Sequence, residues 1–171
     1  MIFVTVGTHE QPFDRLLKWI DKMLEDKKID EEVIIQKGYT DYDPKHCKSY
    51  KLIGYEEMQK YIADASIVVT HGGPASFIAP LAIGKIPIVV PRQKDYNEHV
   101  NNHQLEFAKE VETRMKNIIV AENEEELNDA IINYNQKVEK LSTDIISNNK
   151  KFNIAIETEI KKLFEENKNG L

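Results

Sequence analysis

The sequence predicts an α/β fold, a three-layer Rossmann-like sandwich with about six parallel strands, and three observations carry that expectation. Short apolar runs alternate along the chain with segments of helical spacing. The first run, Ile2 to Val6, stops at Gly7 and leads into a helix, which is how an α/β domain opens. The run Ile67, Val68 and Val69 is apolar throughout, as a strand covered by helices on both faces should be.

Each element follows from its own pattern. After Gly7, Pro12 marks a first helical turn, and Phe13, Leu16, Leu17, Ile20 and Leu24 fall on one apolar face. Glu32 to Gln36 reads as a second strand broken by Gly38, and Tyr50 to Ile53 as a short third strand before Gly54. YEEMQKYIADA is a short helix with Met58, Tyr61 and Ile62 at helical spacing. Ser66 to Thr70 is the fourth strand, running into HGGPAS and a small-residue helix that ends at Gly84. Ile86 to Val90 is the fifth, with Pro87 at its start because proline has no ladder donor. A polar loop from Arg92 leads to a helix over Val100 to Glu110, and Ile118 to Val120 is the sixth strand. Helical stretches from Glu124 to Leu141 and from Ser142 to Glu166 precede the tail NKNGL. One domain is expected: a core over residues 1–121, with helices over 122–171 that pack on it and offer a docking element for a partner.

Composition narrows the function classes. Lys plus Arg number 23 against 29 Asp plus Glu, a net charge of -6, so the global field repels a phosphate backbone and nucleic acid is not an expected partner. A single cysteine, Cys47, forms no internal disulfide and fits a reducing compartment as an inert, partly buried thiol. The opening MIFVTVGTHE has no basic leader, and no window reaches the roughly 18 apolar residues of a membrane span, so a cytoplasmic location with at most peripheral membrane contact is expected.

In a parallel α/β sheet the ligand crevice lies beyond the carboxyl ends of the strands, and four of the five histidines fall in the loops expected there. In HGGPAS, Gly72 and Gly73 let a ligand approach the backbone N–H groups of the next helix, with donors from Ser76 and His71; the same glycines also suit a tight packing turn. No Lys follows them and the spacing is not GxGxxG, which argues against ATP hydrolysis and hydride transfer. In GTHE, His9 is a candidate base, acid or neutral donor beside Gly7, or a plain solvated loop residue. Thr8 either touches a phosphate or caps the helix near Pro12. The stretch from Arg92 to Gln104 is dense in groups that recognise hydroxyls, with Asn102, His103 and Gln104 held near a helix start. Arg92 is the cation expected to face a diphosphate, and Lys94 to face water. His99 and His103 stand at i, i+4 beside Glu98, but the order EHVNNH is not HExxH and no third ligand offers itself, so no metal site is expected. His46 has no expected chemical role.

GTHEQPFDRL, GYEEM, HGGPAS with GKIPIVVPRQ, and EHVNNHQLEFA, in that order over residues 1–121, resemble the carboxyl-terminal, donor-binding domain of glycosyltransferase family 28. Within it the chain is similar to the small catalytic subunits of bacterial two-component exopolysaccharide and capsule galactosyltransferases, and to the catalytic subunit of the dolichol-linked N-acetylglucosaminyltransferase. The resemblance implies the second half of a GT-B enzyme, with a separate membrane-associated subunit supplying the acceptor side. It implies that Gly7, Thr8 and His9 line the cleft; that Gly54, Tyr55 and Met58 surround the uracil; that His71, Gly72, Gly73 and Ser76 hold the diphosphate; and that Asn102, His103 and Gln104 contact sugar hydroxyls. The family's ribose-binding glutamate falls at Ala79, followed by Pro80, which leaves Glu98 or His99 to take that contact.

The implied reaction is inverting transfer of a hexose, galactose favoured, from a UDP-sugar to a polyprenyl-diphosphate-linked sugar, with no cofactor and no metal. His9 is the residue expected at the reacting centre. Two rivals remain: a non-catalytic scaffold subunit, favoured by Ala79, and a UDP-sugar 2-epimerase-like enzyme, which the chain length disfavours.

Overall fold

The computed structural model describes residues 1–141. Its elements are β1 (Ile2–Thr5), α1 (Asp14–Glu25), β2 (Val33–Gln36), β3 (Lys48–Tyr50), α2 (Tyr55–Asp64), β4 (Ile67–His71), α3 (Pro74–Ala82), β5 (Ile88–Val90), α4 (His103–Met115), β6 (Ile119–Val120), α5 (Glu124–Ile132) and α6 (Tyr134–Lys140). The six strands form one sheet in the order β3-β2-β1-β4-β5-β6, and every pairing is parallel. This is a Rossmann-like α/β sandwich, whose strand order reverses between β1 and β4.

Alternation of side chains along each strand sorts the core into the two faces of the sheet. Ile2 and Val4 of β1, Ile67 and Val69 of β4, and Ile88 and Val90 of β5 share one cluster with Leu16, Leu17, Ile20 and Met23 of α1 and Leu127 and Ile131 of α5. Phe3 and Val68 point the other way, onto Ile62 of α2, and Val89 meets Phe77 of α3 and Ala108 of α4. Each such Leu or Ile contributes about 1.5–3 kcal/mol by leaving water, which is why α1 forms despite a polar outer face.

Most boundaries fall within two residues of those the sequence suggests, β5 starting at Ile88 just after Pro87, and three elements differ more. The third strand is Lys48–Tyr50 rather than residues 50–53: it pairs with β2 in the register Ile34↔Lys48 to Gln36↔Tyr50, at the sheet edge. An edge strand faces water, so its apolar neighbour Leu52 stays 54% exposed and apolarity misleads. The fourth helix starts at His103, with Asn102 at its N-cap, because the residues before it are held in loop hydrogen bonds. The stretch 124–141 is two helices, divided at Asn133. The helix expected over 142–166 lies outside the described residues.

A buried carboxylate fixes the long β2–β3 connection onto α1. Asp21 accepts hydrogen bonds from Tyr42 Oη (2.6 Å), the backbone N–H of Lys45 (3.0 Å) and the backbone N–H of His46 (2.8 Å), and its Oδ1 lies 3.0 Å from His46 Nδ1. Burial pushes its pKa up, but these donors outweigh burial and hold it below the ordinary carboxylate value. Cys47 nearby is partly buried, and burial, with the charges of Asp21 and Asp43, pushes its thiol up to about 12, so it stays protonated and unreactive near neutrality.

Asp21→Asn should cost about 1–3 kcal/mol of stability at pH 7 in a urea melt, since an amide cannot accept all of these donors. Because the folded pKa of Asp21 lies below its unfolded value, its contribution is complete above the unfolded pKa and lost as pH falls through the folded one. The gap between wild type and Asp21→Asn should therefore narrow below about pH 4, and a constant gap would contradict the assignment.

Candidate active site

The loops after β1 and β4 meet at the point where the strand order reverses, and they build the site around one imidazole. Gly7 turns the chain with φ of 75°, a conformation that disfavours a side chain. A Cβ on Gly7 would stand 2.4 Å from His71 Nε2, and one on Gly73 would stand 2.3 Å from His71 Cε1. The ring of His71 is thus wedged between two glycines, and packing alone requires both. A Cβ on Gly72 would reach within 2.9 Å of Gln104 Cβ, which ties the same turn to α4.

His71 organises the start of α3. The N–H of Gly73, at the helix N-cap, donates to His71 Nδ1 at 3.0 Å, and His71 Nε2 lies 2.7 Å from Ser76 Oγ. Burial, then the nearby positive charge of Arg92, pushes the His71 pKa down to about 4, so the ring is neutral at pH 7. With Nδ1 accepting, the single ring hydrogen sits on Nε2 and donates to Ser76 Oγ, leaving the serine hydroxyl hydrogen available to an acceptor in the cleft.

A cleft of about 690 Å³ opens in front of this turn, lined by Thr5, Gly7, Thr8 and His9, by Gln36, by Met58, Gln59 and Ile62 of α2, and by His71, Gly73, Ser76 and Ala79. A second cavity of about 630 Å³ lies on the other side of the α3 N-terminus, lined by Gly72, His99, His103, Gln104, Glu106, Phe107 and Glu110. Gly73 and Pro74 border both. The rings of His9 and His99, one from each cavity, lie 5.4 Å apart. Both volumes fall in the range of ligand pockets, and the helix N-terminus between them favours an anion.

Most expected site residues come together here, and several do not. Gly7, Thr8, His9, Met58, His71, Gly73 and Ser76 line the first cavity, and Gly72, His99, His103 and Gln104 the second. Gly54 and Tyr55 line neither, and the Tyr55 side chain is 79% exposed. Thr8 does not cap α1, whose N-cap is Phe13. Asn102 turns its Oδ1 to the backbone N–H of Lys94 at 2.8 Å, so it holds its loop. Gln104 Oε1 accepts the N–H of Arg92 at 3.2 Å.

Arg92 and Glu98 require correction. Arg92 is only 1% exposed and donates to the carbonyls of Val6 (3.1 Å), Gln11 (2.7 Å), Pro12 (3.2 Å) and Glu98 (3.3 Å), so its guanidinium faces the inside of the β1–α1 loop rather than a ligand. Burial lowers its pKa to about 10, Glu98 opposing the shift, and it remains charged near neutrality. Glu98, 3% exposed, is paired in bidentate fashion with Arg15 at 2.8 Å to each oxygen, which leaves no carboxylate for a ribose. Arg15 also donates to the carbonyls of Pro91 and Glu122. Sequence reasoning passed over it because a single arginine on the polar side of an amphipathic helix carries no signal of a distant partner. Thr5, Gln36, Gln59 and Ile62 were also missed as lining residues. Among the described residues no group of three or more His, Cys, Asp or Glu side chains is placed to hold a metal ion.

Two outcomes test this geometry. Gly73→Ala should displace His71 and lower stability by about 1–3 kcal/mol in chemical denaturation, whereas an unaltered melt would show that the ring is not confined. The folded pKa of His71 is below its unfolded value, so its contribution is full above about pH 6.5 and is lost as pH falls towards about 4. Wild type should therefore lose more stability than His71→Gln over that interval.

The family described as glycosyltransferase family 28 C-terminal domain matches residues 1–164. The chain is 32% identical over 119 residues to the human UDP-N-acetylglucosamine transferase subunit ALG13, a match covering 64% of this chain and 10% of that protein. The chain thus spans about a tenth of the length of this curated relative. In fold it is similar to the glycotransferase of kitacinnamycin (TM-score 0.53, 16% identity, 77% of this chain and 34% of that one) and to the glycosyltransferase SnogD from Streptomyces nogalater (TM-score 0.50, 16% identity, 82% and 39%). The match over nearly the whole sequence makes this chain a member of the glycosyltransferase family 28 C-terminal domain family.

Proposed function

We propose that this chain is the donor-binding, catalytic subunit of a two-component inverting glycosyltransferase, moving a hexose from a UDP-sugar to a polyprenyl-diphosphate-linked sugar. The observation that carries the reading is the neutral His71–Ser76 pair at the N-terminus of α3, standing between two cavities. A diphosphate there meets a hydroxyl donor and a helix N-terminus, with no carboxylate among the residues lining the first cavity. The uracil then lies towards Met58 and Ile62, and the sugar reaches His103 and Gln104 across the shared border. Arg92, Glu98 and Asn102 act behind the wall and not on the ligand.

Donors aimed at the departing diphosphate serve the step without a metal or cofactor, and that is the mode proposed. The human relative is itself named a transferase subunit, which supports a partner on the acceptor side. Galactose as the hexose and exopolysaccharide or capsule as the product complete the proposal on resemblance. No helix among the described residues is long and apolar enough to cross a membrane. That a partner at the membrane surface presents the lipid-linked acceptor is part of the proposal on resemblance.

One observation favours a second reading. Ala79 lines the cleft with only a methyl group where the resemblance puts a ribose-binding glutamate, as a scaffold subunit that had lost catalysis would. Calorimetric titration with UDP, ADP and a panel of UDP-sugars in the presence of a chelator separates the two. Selective UDP binding, weakened about tenfold in Ser76→Ala, is the expected result. No binding of any nucleotide would overturn the catalytic reading in favour of the scaffold.

A further inference from the structure

The backbone dictates which nitrogen can carry a proton in three of the four histidines that line the two cavities; in the fourth, His103, Nδ1 lies 3.5 Å from the Glu106 carboxylate instead. The N–H of Gln11 donates to His9 Nδ1 at 3.1 Å, that of Gly73 to His71 Nδ1 at 3.0 Å, and that of Asn101 to His99 Nδ1 at 3.4 Å. Each donor is the amide two residues further on. An amide N–H only donates, so Nδ1 is the bare nitrogen in all three, and a neutral ring then holds its hydrogen on Nε2. His46, away from the cleft, shows the closer contrast: its Nδ1 faces the Asp21 carboxylate at 3.0 Å, an acceptor, so there Nδ1 holds the hydrogen. The local turn, not the residue type, selects the tautomer.

A general base needs a free lone pair aimed at the proton it removes. The only lone pair on neutral His9 is at Nδ1, and the Gln11 N–H occupies it. Nε2 therefore offers a hydrogen. Building on the nucleotide-sugar reading, we propose that His9 is a hydrogen-bond donor to the leaving diphosphate through Nε2–H, and is not the base that deprotonates the acceptor. In the displacement the acceptor oxygen bonds to the anomeric carbon. The bond from that carbon to the diphosphate oxygen breaks, with its electron pair passing to the diphosphate. The acceptor proton goes to a carboxylate or imidazole other than His9, while the His9 hydrogen stays on Nε2 and steadies the departing charge. Burial, then the charge of Arg92 and the neighbouring His99, lowers the His9 pKa, opposed by Glu10, and keeps the ring in this neutral form.

Side-chain amides distinguish the two nitrogens: glutamine reproduces a donor at the Nε2 position, and asparagine reaches only the Nδ1 position. In the full chain, long-range proton–nitrogen correlation spectra should show His9 with bare Nδ1 and protonated Nε2. By calorimetry at pH 7.5, His9→Gln should bind UDP within about threefold of wild type and His9→Asn about tenfold more weakly. A protonated Nδ1, or equal behaviour of the two variants, overturns the donor role alone. Failure of the unmodified chain to bind UDP or any UDP-sugar overturns the nucleotide-sugar reading and the role with it, while the spectrum still decides where the proton sits.

Discussion

The site depends on one buried cation. Taking a guanidinium out of water costs about several kcal/mol even after relaxation, and Arg92 bears that cost inside the sheet's carboxyl edge. What offsets it is the convergence of four backbone carbonyls: Val6 just after β1, Gln11 and Pro12 before α1, and Glu98 in the loop before α4. The bidentate Arg15–Glu98 pair closes the same loops from the other side. Two connections far apart in sequence are thereby held as one rigid rim, and His9 and His99 stand on it facing each other.

The same charge shapes the chemistry of the rim. Arg92 is among the causes that lower the pKa of both His71 and His9, after burial in each case. Burial, reinforced by a cation behind the wall, thus keeps these two imidazoles neutral. Neutral rings with fixed tautomers present defined donors, whereas a doubly protonated imidazole would donate from both nitrogens and break the Gly73 N–H contact that shapes the turn. The acidic balance of the whole chain, -6, is therefore no obstacle to an anion at this spot, because the local field and the amide donors of α3 decide there.

What could be read in the sequence follows from how local each cause is. β1 and β4 were legible because burial on both faces leaves a continuous apolar run, and the turn at HGGPAS was legible because glycines punctuate it. β3 was displaced because an edge strand with one wet face need not be apolar. The double role of Gly7 and Gly73 was hidden: each is required by a ring from another loop or by its own neighbour's fold-back, a contact that no spacing encodes. Arg92 was misassigned for the same reason. A cation in a polar loop reads as a ligand contact until the carbonyls that surround it are known to converge.

Ala79 shows how a missing charge can be consistent with the rest of the cleft. The first cavity is lined by hydroxyl, amide, imidazole and apolar groups, with no formally charged side chain. A carboxylate at position 79 would place a negative charge in a cleft otherwise lined by neutral groups, and it would raise the pKa of His71 by favouring its cation. With alanine there, the His71–Ser76 pair keeps its single proton arrangement across a wider pH range. Of the two glutamines that line this cavity, Gln36 accepts from Thr5 Oγ1, while Gln59 makes no side-chain hydrogen bond among the described residues. Alanine at this position thus leaves the cleft without a charged acceptor while the His71–Ser76 donor arrangement stays fixed.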